Sequence, residues 1–203
     1  MNDSNPQKRA QKVDELLERK EFAEIWALKW SELLMVKTIP NRVEYKPMFL
    51  YSQWITRQIA NGVPLDEMVR ALLGASGGSF VSPAVNFYQI EETTQKTAEN
   101  VAQIFLGTRL QCAQCHNHPF DKWKREEFWS YAAFFKETRI APPADAAADA
   151  IKIAQEASSE ADPHSIRIPE TDIVVPTRYL GGDEPDWNAV PDSRANLGPP
   201  GRR

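Results

Sequence analysis

The chain has 203 residues, 24 Lys and Arg against 28 Asp and Glu, and 42% hydrophobic side chains, enough for a core and, by length, for one main domain with appendages. A formal charge of -4 with both signs interspersed leaves no basic stripe to neutralise phosphates, so nucleic acid is not an expected partner. The opening residues Met1 to Pro6 carry no apolar h-region, and no run of about 18 apolar residues follows, so neither an export signal nor a membrane span is expected in this chain.

Between Ala10 and Lys37 the apolar residues Val13, Leu16, Leu17, Phe22, Ile25, Trp26, Trp30, Leu33 and Leu34 recur every three or four positions. This periodicity predicts a long amphipathic helix, broken near Lys20, with Trp26 and Trp30 as core contacts. Pro40 marks a turn, and a second helix is expected over 47–61 with Met48, Tyr51, Ile55 and Ile59 on one side and Gly62 as its left-handed stop. A third begins at Pro64, carries Leu65, Met68, Val69, Leu72 and Leu73, and ends at Gly74. Residues 74–90 read as an irregular, mobile connection anchored by Phe87 and Tyr88; without a following Gly-Lys-Ser/Thr they are no phosphate loop.

A fourth helix is predicted over 93–106, with Ala98, Val101, Ala102, Phe105 and Leu106 on its stripe and Gly107 as its stop, and a fifth over 124–136 with Phe128, Tyr131, Ala132 and Phe135. The alanine-rich residues 141–162 read as a solvent-facing helix or linker, and Ile166, Ile168 and Ile173 to Val175 as short β-prone pieces. The expected fold is therefore mainly α: an irregular multi-helix domain over 1–140, a linker with a short β-prone C-terminal extension over 141–180, and a disordered tail over 181–203.

Both cysteines and two of the three histidines fall in Cys112-Ala113-Gln114-Cys115-His116-Asn117-His118, between the fourth and fifth helices. Three readings compete there. In Cys-x-x-Cys-His, Cys112 and Cys115 are the thioether residues of a covalently attached haem c and His116 the axial ligand of its iron, with Met35, Met48, Met68 or His164 as sixth ligand or that position open. In Cys-x-x-Cys-x-x-His, Cys112, Cys115 and His118 are ligands of zinc or another transition metal, with His164, Asp121 or water as the fourth. In the third, the cysteines are a reduced pair or local disulfide in an interaction module without cofactor. The aromatic residues Phe105, Phe120, Trp123, Phe128, Trp129, Phe134 and Phe135 crowd the neighbourhood, and Arg109, Lys122, Lys124 and Arg125 are candidates to meet haem propionates. A Ser/His/Asp set or paired carboxylates at helical spacing do not stand out, so the sequence assigns no hydrolase chemistry.

The run Ala98-Glu99-Asn100-Val101-Ala102-Gln103-Ile104-Phe105-Leu106-Gly107, its continuation from Arg109 through Cys112, Cys115, His116, His118-Pro119-Phe120-Asp121-Lys122-Trp123, and Ala132-Ala133-Phe134-Phe135 resemble the planctomycete cytochrome-c-like domain of unknown function. Leu16-Leu17, Trp26, Trp30 and Pro64-Leu65-Asp66 extend the resemblance, which covers roughly residues 10 to 180. It implies a piece of a larger exported bacterial protein in the periplasm or cell envelope, with a downstream domain and redox partners, and an electron-transfer role. The additional His118-Pro119 is not something haem attachment requires.

Overall fold

Two helices, α1 (Lys8–Leu17) and α2 (Lys20–Leu33), form where the periodicity predicted one broken helix. The break is the extended backbone of Arg19 (ψ 145°), whose guanidinium then pairs with Glu21 in the first turn of α2 at 2.9 Å. The computed structural model describes residues 5–91, 93–141, 152–155, 162 and 164–189. Among them no helix is long and apolar enough to cross a membrane.

Helix α2 buries Ala23, Ala27 and Ser31, a small-residue stripe at four-residue spacing, against α3 (Tyr45–Ala60), which buries Pro47, Met48, Tyr51 and Ile55. Small side chains let the two helices approach closely, which moves the large rings off the contact line. Trp26 is accordingly 45% exposed and Trp30 only half-buried, so the expected pair of tryptophan core contacts does not form. Gly62 takes φ +62° beyond the end of α3, a left-handed conformation that suits a residue without Cβ. Helix α4 (Leu65–Leu73) follows Pro64 and buries Met68 and Leu72.

The segment expected to be a mobile connection is instead built into the fold, with 84–90 in its core. It opens with β1 (Gly77–Gly78) and ends in a 3-10 helix, Pro83–Gln89, in which Ala84 to Gln89 are all buried. Burying irregular backbone requires partners for its polar groups. The Asn86 amide supplies them, donating to the carbonyls of Pro47, Ser79 and Pro83 at 3.1, 3.0 and 2.9 Å, while its own oxygen accepts from the Gln89 amide. The Tyr88 hydroxyl donates to the Leu73 carbonyl at 2.7 Å.

Helix α5 (Thr94–Phe105) starts at Thr93, whose Oγ1 accepts the Lys96 N–H, and buries Thr97, Ala98, Val101 and Ala102; Leu106, expected on that stripe, is exposed. The helix is closed by Gly107 at φ +62° and a bond from Thr108 N–H to the Ala102 carbonyl. Two further strands, β2 (Thr138–Ala141) and β3 (Lys152–Gln155), join β1 in an antiparallel sheet of order β1-β3-β2. Residues 152–155 thus pair as a strand within the segment expected to be helix or linker; 142–151 and 156–161 lie outside the described residues. An antiparallel ladder satisfies backbone groups whatever the side chains are, and it overrides the helical bias of an alanine-rich composition.

The chain divides into two compact units. The first, Met1–Arg109 with Glu137–Ser159, contains the elements above. The second, Leu110–Lys136 with Glu160–Arg203, contains a 3-10 turn at Gln111–Gln114, helix α6 (Arg125–Ala132) continued by a 3-10 turn at Ala133–Phe135, and the antiparallel pair β4 (Ser165–Arg167) and β5 (Val174–Pro176), with Ile166 opposite Val175. The β-prone pieces thus pair as expected. Leu110, Ala113, Trp123, Phe128, Trp129, Phe135, Ile168 and Val175 are the apolar core of this unit. The hairpin is tied to α6 by Arg178 N–H to the Ser130 carbonyl at 3.1 Å. Of the expected tail, residues 181–189 are described: Gly181 takes φ +69° where an added Cβ would stand 3.4 Å from the Trp123 ring, and Trp187 stacks on His164; 190–203 lie outside the described residues. The fold is mainly α with two small antiparallel sheets.

Candidate functional site

The Cys/His run begins on a 3-10 turn because Leu110 and Ala113 are both buried and act as its apolar feet. With three residues per turn, side chains three apart eclipse. Cys112 and Cys115 therefore fall on one edge of the backbone, and both thiols are free and exposed. The turn is closed by the Ala113 N–H on the Leu110 carbonyl at 2.9 Å and the His116 N–H on the Cys112 carbonyl at 3.4 Å. It is fixed to α6 by the indole Nε1 of buried Trp129, which donates to the Gln114 carbonyl at 3.0 Å.

Two further bonds shape the chain beyond it. Asn117 Oδ1 accepts the backbone N–H of Arg125, the first residue of α6, at 3.0 Å, satisfying one of the free donors at that helix start. His118 N–H donates to the Trp123 carbonyl at 2.8 Å and closes the loop 118–123. Phe120 stands at the tip of this loop, 94% exposed.

The two histidines are set up differently. His116 Nδ1 lies 2.8 Å from the Asn117 carbonyl oxygen, which can only accept. In the neutral ring the hydrogen is therefore on Nδ1, and the lone pair is on Nε2 of an exposed imidazole. His118 is the reverse: its Nδ1 accepts the Phe120 N–H at 3.3 Å, so the neutral ring carries its hydrogen on Nε2. One histidine offers a free ring nitrogen as a ligand, and the other offers an N–H.

The remaining predicted residues are dispersed. His164 belongs to the same unit, and its ring is stacked on Trp187 with centroids 3.9 Å apart at 15°. Met35, Met48 and Met68 belong to the first unit; Met48 and Met68 are buried in its core. Among the described residues no group of three or more His, Cys, Asp or Glu side chains is placed to hold a metal ion. Of the two helices flanking the run in sequence, α6 shares its unit, whereas α5 belongs to the other. Phe128, Trp129 and Phe135, expected among the aromatic surroundings of the site, are core residues of the second unit.

Sequence reasoning passed over Asn117 as a site residue. Its partner is eight positions away, so no capping spacing announces it. It also gave Trp129 no role beyond bulk, since an indole N–H reaching a carbonyl 15 positions earlier leaves no periodic trace.

Two exposed thiols on one turn and an adjacent imidazole with Nε2 free are the donor types that a c-type haem would require. Neither a curated protein nor a solved structure matches the chain. A family model does match residues 1–140 of the 203, a span that takes in α1 to α6 and the whole Cys/His run. The chain belongs to the family of that model, PSCyt2, a protein of unknown function (DUF1549).

Proposed function

We propose that this chain is a c-type-haem-like module of a larger exported bacterial protein, working in electron transfer in the periplasm or cell envelope. Cys112 and Cys115 would hold the tetrapyrrole through thioethers, and His116 would meet the iron through Nε2. The observation that carries the reading is the bond between His116 Nδ1 and the Asn117 carbonyl, because a ligating histidine needs its second nitrogen held as a donor to fix tautomer and ring orientation. When bound, the iron supplies one-electron chemistry. The chain's part is to hold the ligand ring in one orientation and to keep the attachment turn rigid through Trp129.

The non-haem reading through Cys112, Cys115 and His118 has less support, since ligation by His118 would require giving up either the Phe120 contact at Nδ1 or the hydrogen at Nε2. The reading as an interaction module has no specific contact in its favour.

The test is production of the chain with an export leader, with and without a haem-maturation system, followed by an absorption spectrum, intact mass and metal analysis. A Soret band with covalent porphyrin mass that disappears on replacing both cysteines is the expected result. Absence of both signals from exported protein sinks the haem reading; about one equivalent of transition metal that is lost with His118→Ala but kept with His116→Ala would establish the zinc-like site in its place. Protein with neither haem nor metal would leave the interaction module.

A further inference from the structure

Helix α1 buries none of its ten residues, whereas each later α-helix buries some of its own. Its apolar side chains are nevertheless gathered: Val13, Leu16 and Leu17, at the three- and four-residue steps that bring side chains onto one face, are 47, 44 and 51% exposed. A helix of this length depends on packing of its apolar face, since isolated helices shorter than about 12–15 residues are marginal in water. Capping does not compensate, because Gln7, at the N-cap, makes no side-chain capping bond.

The charges on α1 run against its own dipole. Lys8 and Arg9 stand in the first turn, where partial positive charge already gathers, and Asp14 and Glu15 stand in the last, with Glu18 at the C-cap; the first turn has no acidic residue and the last no basic one. Lys12 and Glu15 meet within the helix at 2.6 Å, in a pair exposed to solvent. Arg9, Asp14 and Glu18 enter no ion pair among the described residues. From Lys8 to Glu18 the three cations Lys8, Arg9 and Lys12 balance the three carboxylates Asp14, Glu15 and Glu18. With a sum of zero, neither an anionic lipid surface nor a partner of one sign is selected. The order decides instead: basic followed by acidic is the complement of itself reversed.

We propose that the apolar face of α1 is the contact surface for a second copy of this chain, with the two α1 helices antiparallel about a two-fold axis. In that arrangement Val13, Leu16 and Leu17 of one copy cover those of the other. The end bearing Lys8 and Arg9 faces the end bearing Asp14 and Glu18, and symmetry makes this contact twice. The two dipoles lie opposed, so the charges at each helix end are offset by opposite ones while the apolar stripe leaves water. The surface belongs to the first unit and uses no residue of the Cys/His run, so the pairing is independent of what that run binds.

Sedimentation velocity on the chain, under reducing conditions that keep Cys112 and Cys115 from cross-linking copies, tests the proposal over about 1–500 µM, a range suited to a small interface. A monomer–dimer equilibrium is expected, weakened about ten-fold or more by Leu16→Asp and by Lys8→Glu combined with Arg9→Glu. The charge variant is decisive, because acidic residues in the first turn favour the isolated helix; its far-ultraviolet circular dichroism should be at least as helical as the wild type, which rules out a melted α1 as the cause of lost association. Adding Asp14→Lys and Glu18→Lys to it reverses the whole charge order and should return the dimer to within about three-fold of the wild type. A chain that stays monomeric throughout, a dimer indifferent to Leu16→Asp, or a fully reversed variant as weak as the half-reversed one overturns the proposal. Binding of a monomeric chain to vesicles of phosphatidylcholine and phosphatidylserine, without self-association, overturns it too and assigns the face to a membrane.

Discussion

The indole N–H of Trp129, on α6, donates to the carbonyl of Gln114, the residue between Ala113 and Cys115, across 3.0 Å. One hydrogen bond thus ties the middle of the thiol-bearing turn to the helix behind it. Trp129→Phe keeps most of the ring volume but leaves a carbonyl unpaired near the core, and should destabilise the second unit by about 1–3 kcal/mol. A urea titration followed by circular dichroism measures this; an unchanged midpoint would mean that the bond contributes nothing net.

Asn117 joins the turn to the start of α6. Asn117→Ala removes the acceptor for the Arg125 N–H and should cost about 0.5–2 kcal/mol, as loss of a helix-capping side chain does. Asn117→Asp keeps the acceptor and places a negative charge at the positive end of the helix, so it should be at least as stable as the wild type. Thermal unfolding of the three proteins orders them, and an Asp variant below the Ala variant contradicts this account.

The opposite tautomers of His116 and His118 give unequal consequences. On haem-loaded protein, His116→Ala should abolish the ligation signature in the visible spectrum, while His118→Ala should retain it and lose only the Phe120 N–H contact, costing about 1 kcal/mol. Equal spectral damage from both variants would remove the distinction.

Tyr51 and Tyr88 lie in the first unit, and burial holds both hydroxyls protonated well above the ordinary tyrosine range. A group whose folded pKa is raised leaves stability intact below its unfolded pKa, about 10 for tyrosine, and drains it as pH rises beyond that value. The first unit should therefore loosen in alkali, and replacing both tyrosines by Phe should extend its stable range upward, as read by far-ultraviolet circular dichroism against pH. At neutral pH the two differ. Tyr88→Phe loses the 2.7 Å bond to the Leu73 carbonyl and should cost about 1 kcal/mol, whereas the Tyr51 hydroxyl has no partner among the described residues and its removal should be neutral or stabilising.

Much of the helical content was legible because it depends on local repetition. Met48, Tyr51 and Ile55 recur with the helical period and are buried; Gly62 and Pro64 mark an end and a beginning by backbone constraint alone. Trp26 shows the limit: periodicity names the apolar side of a helix, but which part of it meets a neighbour depended on the smaller Ala23, Ala27 and Ser31 fitting against α3. The segment 83–89 shows another, since the burial of an irregular stretch rests on Asn86 reaching Pro47, 39 positions earlier.

At the site, the inventory can be read directly along the chain: two thiols three apart, an imidazole directly after them, a second two positions on, and thereby the competing chemistries. Spacing along a chain is a local property, and it fixes which ligands are near one another. How each ring nitrogen is used, and which buried donors lack an acceptor among the described residues, follows from the three-dimensional fold. Those depend on where carbonyls and amides from a turn, a loop and the start of a helix come to lie in space, and no spacing records that.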